Sequence, residues 1–195
     1  MSDSQNKVLP GKYVVIDGLD MCGKGTQFEK LRRLEMNRPG SFIFTREPGG
    51  TIFGEKLREL LYEPPETPEA AFFAMLSQRV EHRKVVIEPH LQKGINVLSD
   101  RSDSSTLAFQ VYGQGASHLE EIFWNLYPKL GVLPDLYIFL DMPPEEVARR
   151  KKAQDDKGEV RADTTMTTFD EADCEFHKQV RLGFYQFAKK LPPST

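Results

Sequence analysis

The 195-residue sequence contains two cysteines, Cys22 and Cys174, too few for a disulfide framework or a thiolate metal site. It has no excess of positive charge. The formal net charge of −3 excludes a chain-wide basic field that would attract nucleic acid or an anionic membrane. It has no apolar run of membrane-spanning length, and the start, Met1-Ser-Asp-Ser-Gln-Asn-Lys7, lacks the apolar segment of a secretory leader. It also has no internal repeat and no low-complexity segment. These absences predict a cytoplasmic protein with a flexible start over residues 1–10 and one domain over 11–195. A hydrophobic fraction of 39% beside a charged fraction of 28% is enough to bury an ordinary globular core.

The most informative stretch runs from Lys12 to Gln27. Tyr13 to Ile16 is short, apolar and rich in β-branched residues, as a buried parallel strand is. It leads into Gly18-Leu-Asp-Met-Cys-Gly23-Lys24, and a helical pattern follows to Met36. A strand, a glycine-bounded loop and a helix in that order form a phosphate cradle. Backbone N–H groups turn inward, the helix N-terminus adds its positive end, and Lys24 supplies a full charge. Residues Gly18, Leu19, Asp20, Met21, Cys22, Gly23, Lys24, Gly25 and Thr26 are therefore expected around bound phosphates. One feature of the motif is missing. The position after the lysine, normally Ser or Thr, is Gly25, and the hydroxyl comes one residue later on Thr26.

Three more strands are expected: Ser41–Thr45, Ile95–Ser99 and Leu136–Leu140, the last almost wholly apolar and so placed centrally in the sheet. Helices are expected over Phe53–Tyr62, from Pro68 to about Gln92, over Ser104–Tyr112, Leu119–Leu130, from Asp141-Met-Pro-Pro to Lys152, and Phe169–Leu191. Thr67-Pro68-Glu69 gives the second of these a cap, a first-turn proline and an acidic residue against the helix dipole. Its inward positions are read as Phe72, Met75, Leu76, Val80 and Ile87, with Arg79 among them. Residues from about 153 to 168 are polar and poor in large apolar side chains, and read as a mobile loop. Strands alternating with helices predict a parallel sheet covered on both faces, with ligands at the strands' carboxyl ends. Charge collects at those ends: Asp17 to Lys24, Thr45-Arg46-Glu47, Asp100-Arg101 and Asp141.

Taken together, the phosphate loop with Asp20, Arg46-Glu-Pro-Gly-Gly-Thr51, Arg79-Val-Glu-His82, Asp100-Arg101 with Ser104-Ser-Thr-Leu-Ala-Phe-Gln110, and Leu133-Pro-Asp-Leu-Tyr-Ile-Phe-Leu-Asp141 resemble the thymidylate kinase family from about Lys12 to Gln186. The resemblance implies a three-layer α/β P-loop fold with a central sheet of about four to five strands. It also implies ATP-dependent phosphorylation of dTMP to dTDP, magnesium and a homodimer. Residue by residue, it gives Lys24 to the ATP phosphates, Arg46 to the acceptor's phosphate, Arg101 to the bridge between donor and acceptor, and Asp100 to magnesium through water. Asp20 matches a carboxylate that contacts the acceptor sugar and assists catalysis. Met75, Arg79, Ser105, Phe109 and Gln110 match positions near thymine or its sugar, and Phe109 reads equally well as core.

The chain departs from the family at several points. Met75 replaces a stacking phenylalanine, and Ser102 stands where tyrosine or histidine is usual. Met21 stands where some members carry a catalytic arginine, so a lid arginine is expected instead, Arg161 first, with Arg149 and Arg150 gripping ATP. The family continues past the last helix into another strand and helix, whereas this sequence ends at Thr195, so four core strands and a less enclosed adenine pocket are expected. Three alternatives stay open: a kinase for dUMP or a modified pyrimidine deoxynucleotide, a deoxynucleoside kinase (to which Arg46 would be of no use), and a nucleotide-binding regulator with weak catalysis.

Overall fold

The computed structural model of the protein describes residues 10–36, 40–60, 65–156 and 174–191. Four parallel strands, β1 (Tyr13–Gly18), β2 (Phe42–Arg46), β3 (Asn96–Asp100) and β4 (Leu136–Leu140), lie in the order β2-β3-β1-β4. The chain leaves β1 toward one edge and leaves β3 toward the other. The carboxyl ends of β1 and β3 therefore flank a topological switch point, where sheets of this kind bind ligands. In register, Ile16 lies beside Asp100, and Asp100 lies beside Arg46. The end of β1, Asp100 and Arg46 thus form one row along the carboxyl edge.

Helix α1 (Lys24–Glu35) covers one face, where Phe28 packs on Ile16 and Leu98. The other face carries α3 (Pro68–His82), α4 (Glu88–Gln92), the π-helical segment Thr106–Gly113 and α8 (Cys174–Lys190). The remaining helices are α2 (Ile52–Leu60), α5 (Asp103–Ser105), α6 (Leu119–Leu126) and α7 (Pro144–Asp155). Phe187 of α8 is fully buried against Phe123, Tyr127, Tyr137 and Phe139. Burying one such ring contributes ~2–3 kcal/mol. α8 lies unusually close to the 106–113 segment, because a Cβ on Gly183 would come within 2.6 Å of the Ala108 Cα.

Three expectations are corrected. β4 is an edge strand of the described sheet, not a central one. Its apolar character has two sources: Tyr137 and Phe139 pack toward α8, while Leu136 and Ile138 on the other face stay 42% and 39% exposed. The long helix from Pro68 is not uniformly α-helical. A π-helical segment, Arg83–Ile87, separates α3 from α4, with the Glu88 N–H reaching back to the Arg83 carbonyl. Phe72, Met75, Leu76, Ile87 and Arg79 are buried as expected, but Val80 faces outward, and the inward side also buries Gln78, His82 and Arg83 completely. The Thr67 cap forms as the sequence predicts, accepting from the Ala70 N–H at 3.4 Å, with proline in the first turn. The end of the helix expected to reach Tyr62, and most of the expected lid including Arg161, lie outside the described residues.

Candidate active site

β1 ends in Asp17-Gly18, and the chain turns through Gly18 (φ 145°), Met21 (φ 62°) and Gly23 (φ 100°) before α1 begins at Lys24. A Cβ on Gly18 would lie 2.6 Å from the Leu140 carbonyl oxygen, so the close pass against β4 requires glycine. No side chain caps α1. Its first N–H groups are left to an anionic ligand, the arrangement that binds phosphate at helix starts. Lys24 is buried, and its Nζ donates to the loop's own carbonyls at Gly18 (3.1 Å) and Leu19 (2.8 Å). Gly25, in the first turn of α1, is exposed.

Arg101 joins the phosphate loop to the end of β3. Its backbone is left-handed (φ 69°), a conformation uncommon outside glycine and found at functional sites. Its Nη1 donates to Asp17 Oδ1 (3.1 Å), the Gly18 carbonyl (3.0 Å) and Ser105 Oγ (3.0 Å), and its Nη2 pairs with Asp20. The guanidinium lies over the Phe109 ring, 5.0 Å from its centre. Burial opposes its charge, but Asp20 and then Asp17 outweigh that and hold its pKa above the ordinary value. Asp17 is fully buried and also accepts from Ser104 Oγ (2.6 Å), Ser105 Oγ (2.9 Å) and the Gly18 N–H (2.8 Å). Read from the sequence as a charge at a strand end, this carboxylate is taken up in the structure by Arg101, Ser104 and Ser105.

Beside this lies a pocket of about 530 Å³ lined by Gly25, Phe28, Arg32, Phe44, Arg46 and Asp100, among others. Arg46 donates to Glu55 at 3.2 Å and remains partly exposed. Asp100 contributes a buried Oδ1 with no hydrogen-bond partner among the described residues. Burial pushes its pKa up, and Lys24 and Arg101 offset part of that rise. An orphaned, partly shielded carboxylate oxygen beside a lysine and a phosphate loop suits a water-bound divalent cation. Among the described residues no cluster of three or more His, Cys, Asp or Glu side chains could hold a metal unaided.

Lys24, Asp20, Arg101, Arg46 and Asp100 are therefore brought together. Met75, Arg79, Phe109 and Gln110 are nearly or fully buried, and Phe109 lies in the core against Phe184. Ser105 also points inward, to Asp17 and Arg101. Ser102 faces the Tyr13 hydroxyl at 3.1 Å, where a large side chain would collide. Arg149 is engaged with Glu146 on the exposed side of α7, whereas Arg150 also donates to the Met21 carbonyl of the phosphate loop at 3.1 Å. Asp141 is taken up by Arg181 and Tyr185.

A profile of thymidylate kinases matches residues 16–192, which covers the phosphate loop and every strand end of the site. The chain belongs to the thymidylate kinase family. It is 38% identical over 183 residues to the thymidylate kinase of Carboxydothermus hydrogenoformans, covering 93% of this chain and 86% of that one. It is 38% identical over 195 residues to that of Prochlorococcus marinus strain MIT 9515, with the same coverage of 93% and 86%. The crystal structure of thymidylate kinase from Ehrlichia chaffeensis superposes with a TM-score of 0.70 at 28% identity, covering 92% of this chain and 85% of that one. The enzyme is thus a nucleoside-monophosphate kinase, a phosphotransferase, on a P-loop α/β fold. No described helix is long and apolar enough to cross a membrane.

Proposed function

We propose that the protein phosphorylates dTMP to dTDP at the expense of ATP, in the cytoplasm and as a homodimer. The row formed by Asp100 and Arg46 carries the reading. It faces a pocket that the start of α1 also lines, so a donor on the phosphate loop and a phosphorylated acceptor on Arg46 would meet beside Asp100. Phosphoryl transfer is chiefly positioning and neutralisation of charge. Lys24 leaves its loop carbonyls for the ATP phosphates, and Arg46 holds the acceptor's phosphate. Arg101, fixed by Asp17, lies between the two and supplies charge where it develops. Asp20, paired with Arg101, sits beside the acceptor sugar.

Asp100 would hold magnesium through water, and the metal would neutralise phosphate charge when bound. Asp17 and Asp141 are spent on protein donors, which leaves Asp100 as the carboxylate for this task. Arg79, whose buried Nη2 has no partner among the described residues, has a donor to spare for a pyrimidine carbonyl. Met75 and Gln110 flank the base, and Phe109 holds Arg101 from behind. Arg150 secures the phosphate loop through the Met21 carbonyl, and Arg149 would turn from Glu146 to reach the nucleotide. Arg161 supplies the arginine that Met21 lacks.

The test is ATP consumption with thymidine, dTMP, dUMP, dCMP and AMP offered separately. Turnover should be fastest with dTMP, and Asp100→Asn should abolish most of it while ATP still binds. Preference for thymidine would refute the role of Arg46, and preference for dUMP would refute the assignment of the base. Equal activity of Asp100→Asn and the parent across a magnesium titration would remove Asp100 from the metal.

A further inference from the structure

Glu47 has no role in the reading above, yet it is completely buried. One carboxylate oxygen takes the Arg79 Nη1, and the other lies 2.8 Å from His82 Nδ1. Burial alone would push this carboxyl up, but Arg79 and then His82 outweigh that and hold it below its ordinary value. An ionised carboxylate only accepts, so His82 Nδ1 must carry the proton. The opposite ring nitrogen, Nε2, lies 2.6 Å from Thr45 Oγ1.

The placement of these groups follows from the strand's alternation. Thr45 and Glu47 point toward α3, while Arg46 between them points the other way, to Glu55 and the open pocket. The loop that follows is pressed onto the same helix. The Gly49 N–H donates to Gln78 Oε1 at 3.3 Å. A Cβ on Gly50 would come within 2.5 Å of His82 Nε2 and 2.7 Å of Thr45 Oγ1, so the fit there leaves no slack. Arg79 is gripped at Nη1 by Glu47 and at Nε by Thr106 Oγ1 (3.0 Å), which leaves Nη2 as the donor in reserve. Such a buried charged cluster is poor evidence of stability, because well-packed apolar residues often do as well or better. Its geometric effect is to fix one guanidinium.

We infer that Glu47 and His82 are positioning residues that orient Arg79 and lock it to the strand end carrying Arg46. The acceptor's base and phosphate are then read by one rigid unit. The inference rests on the proposed roles of Arg46 and Arg79.

The experiment is steady-state kinetics with dTMP and ATP varied separately. Glu47→Gln should raise KM for dTMP by about tenfold to a hundredfold, the effect of losing a charge-assisted hydrogen bond, with KM for ATP unchanged. His82→Ala should move KM for dTMP in the same direction. His82→Asn, which keeps an N–H near the position of Nδ1, should restore most of it. If Glu47→Gln does not fold, the two His82 variants decide the matter alone. The inference is overturned if both KM values rise in proportion, if neither moves, or if His82→Asn is no better than His82→Ala. A parent enzyme that does not use dTMP would instead refute the functional reading.

Discussion

Gly25 occupies the place where a hydroxyl would stand beside a phosphate-bound metal, and the space for that hydroxyl is present. A Cβ there would meet nothing within 4 Å, and Gly25 is not among the glycines with positive φ. Serine also suits a helix better than glycine, by ~0.5 kcal/mol. Gly25→Ser should therefore fold at least as stably as the parent. If the hydroxyl reaches the metal, it should lower the magnesium concentration needed for half-maximal turnover several-fold, on the scale of one hydrogen bond, ~1 kcal/mol. A magnesium titration of both proteins checks this, and an unchanged requirement would place the metal away from Gly25. The missing loop hydroxyl and the orphaned Oδ1 of Asp100 would then belong to one arrangement, in which a bound metal would be held more by water and less by the loop.

At the scale of elements, α8 depends on its closest approach. Gly183→Ala would drive a methyl group into the Ala108 backbone, 2.6 Å away, and backbone has nowhere to go. A loss of ~1–3 kcal/mol is expected, the usual cost of overpacking, read as a lower urea midpoint at unchanged slope. A midpoint equal to the parent's would show that the two segments separate easily. The strands and their charged ends were legible in the sequence because their signals are local. A run of β-branched residues ending in Asp100-Arg101, or a Thr-Pro-Glu start, needs no distant partner to be read. What was not legible depends on distance along the chain. Glu47 meets Arg79 across 32 positions, Asp17 meets Ser104 across 87, and Arg150 meets Met21 across 129. For the same reason the sequence of this helix shows its apolar positions and Arg79, but nothing local says that Gln78, His82 and Arg83 are buried as well. β4 was misplaced because apolarity records the packing of Tyr137 and Phe139 but not whether a further strand lies beside them.

Across the whole molecule, α3 has a buried polar face and an exposed apolar one. Its inner face buries Gln78, Arg79 and His82 toward the candidate acceptor site, while its outer face exposes Phe73 (51%) and Val80 (38%), followed by Val85 (55%) in the π-helical segment. A π turn closes on the fifth residue rather than the fourth, which brings Val85 nearer the line of Phe73 and Val80 than an α turn would. Ile52, Phe53 and Leu60 of α2 add further exposed apolar surface. Single exposed apolar residues are ordinary, but Ile52 and Phe53 share one groove with Val85, and exposed apolar residues gathered on adjoining elements mark an interaction surface. The occupant consistent with the proposed homodimer is the same face of a second copy, since a twofold axis makes one patch its own complement. Phe73→Asp should then shift the protein from dimer to monomer in sedimentation and abolish any rise of Tm with protein concentration. Because the dimer would brace the back of the helix that holds Arg79, the same substitution should raise KM for dTMP more than KM for ATP. A parent protein that sediments as a monomer, or a Phe73→Asp variant that remains dimeric, would separate this face from assembly.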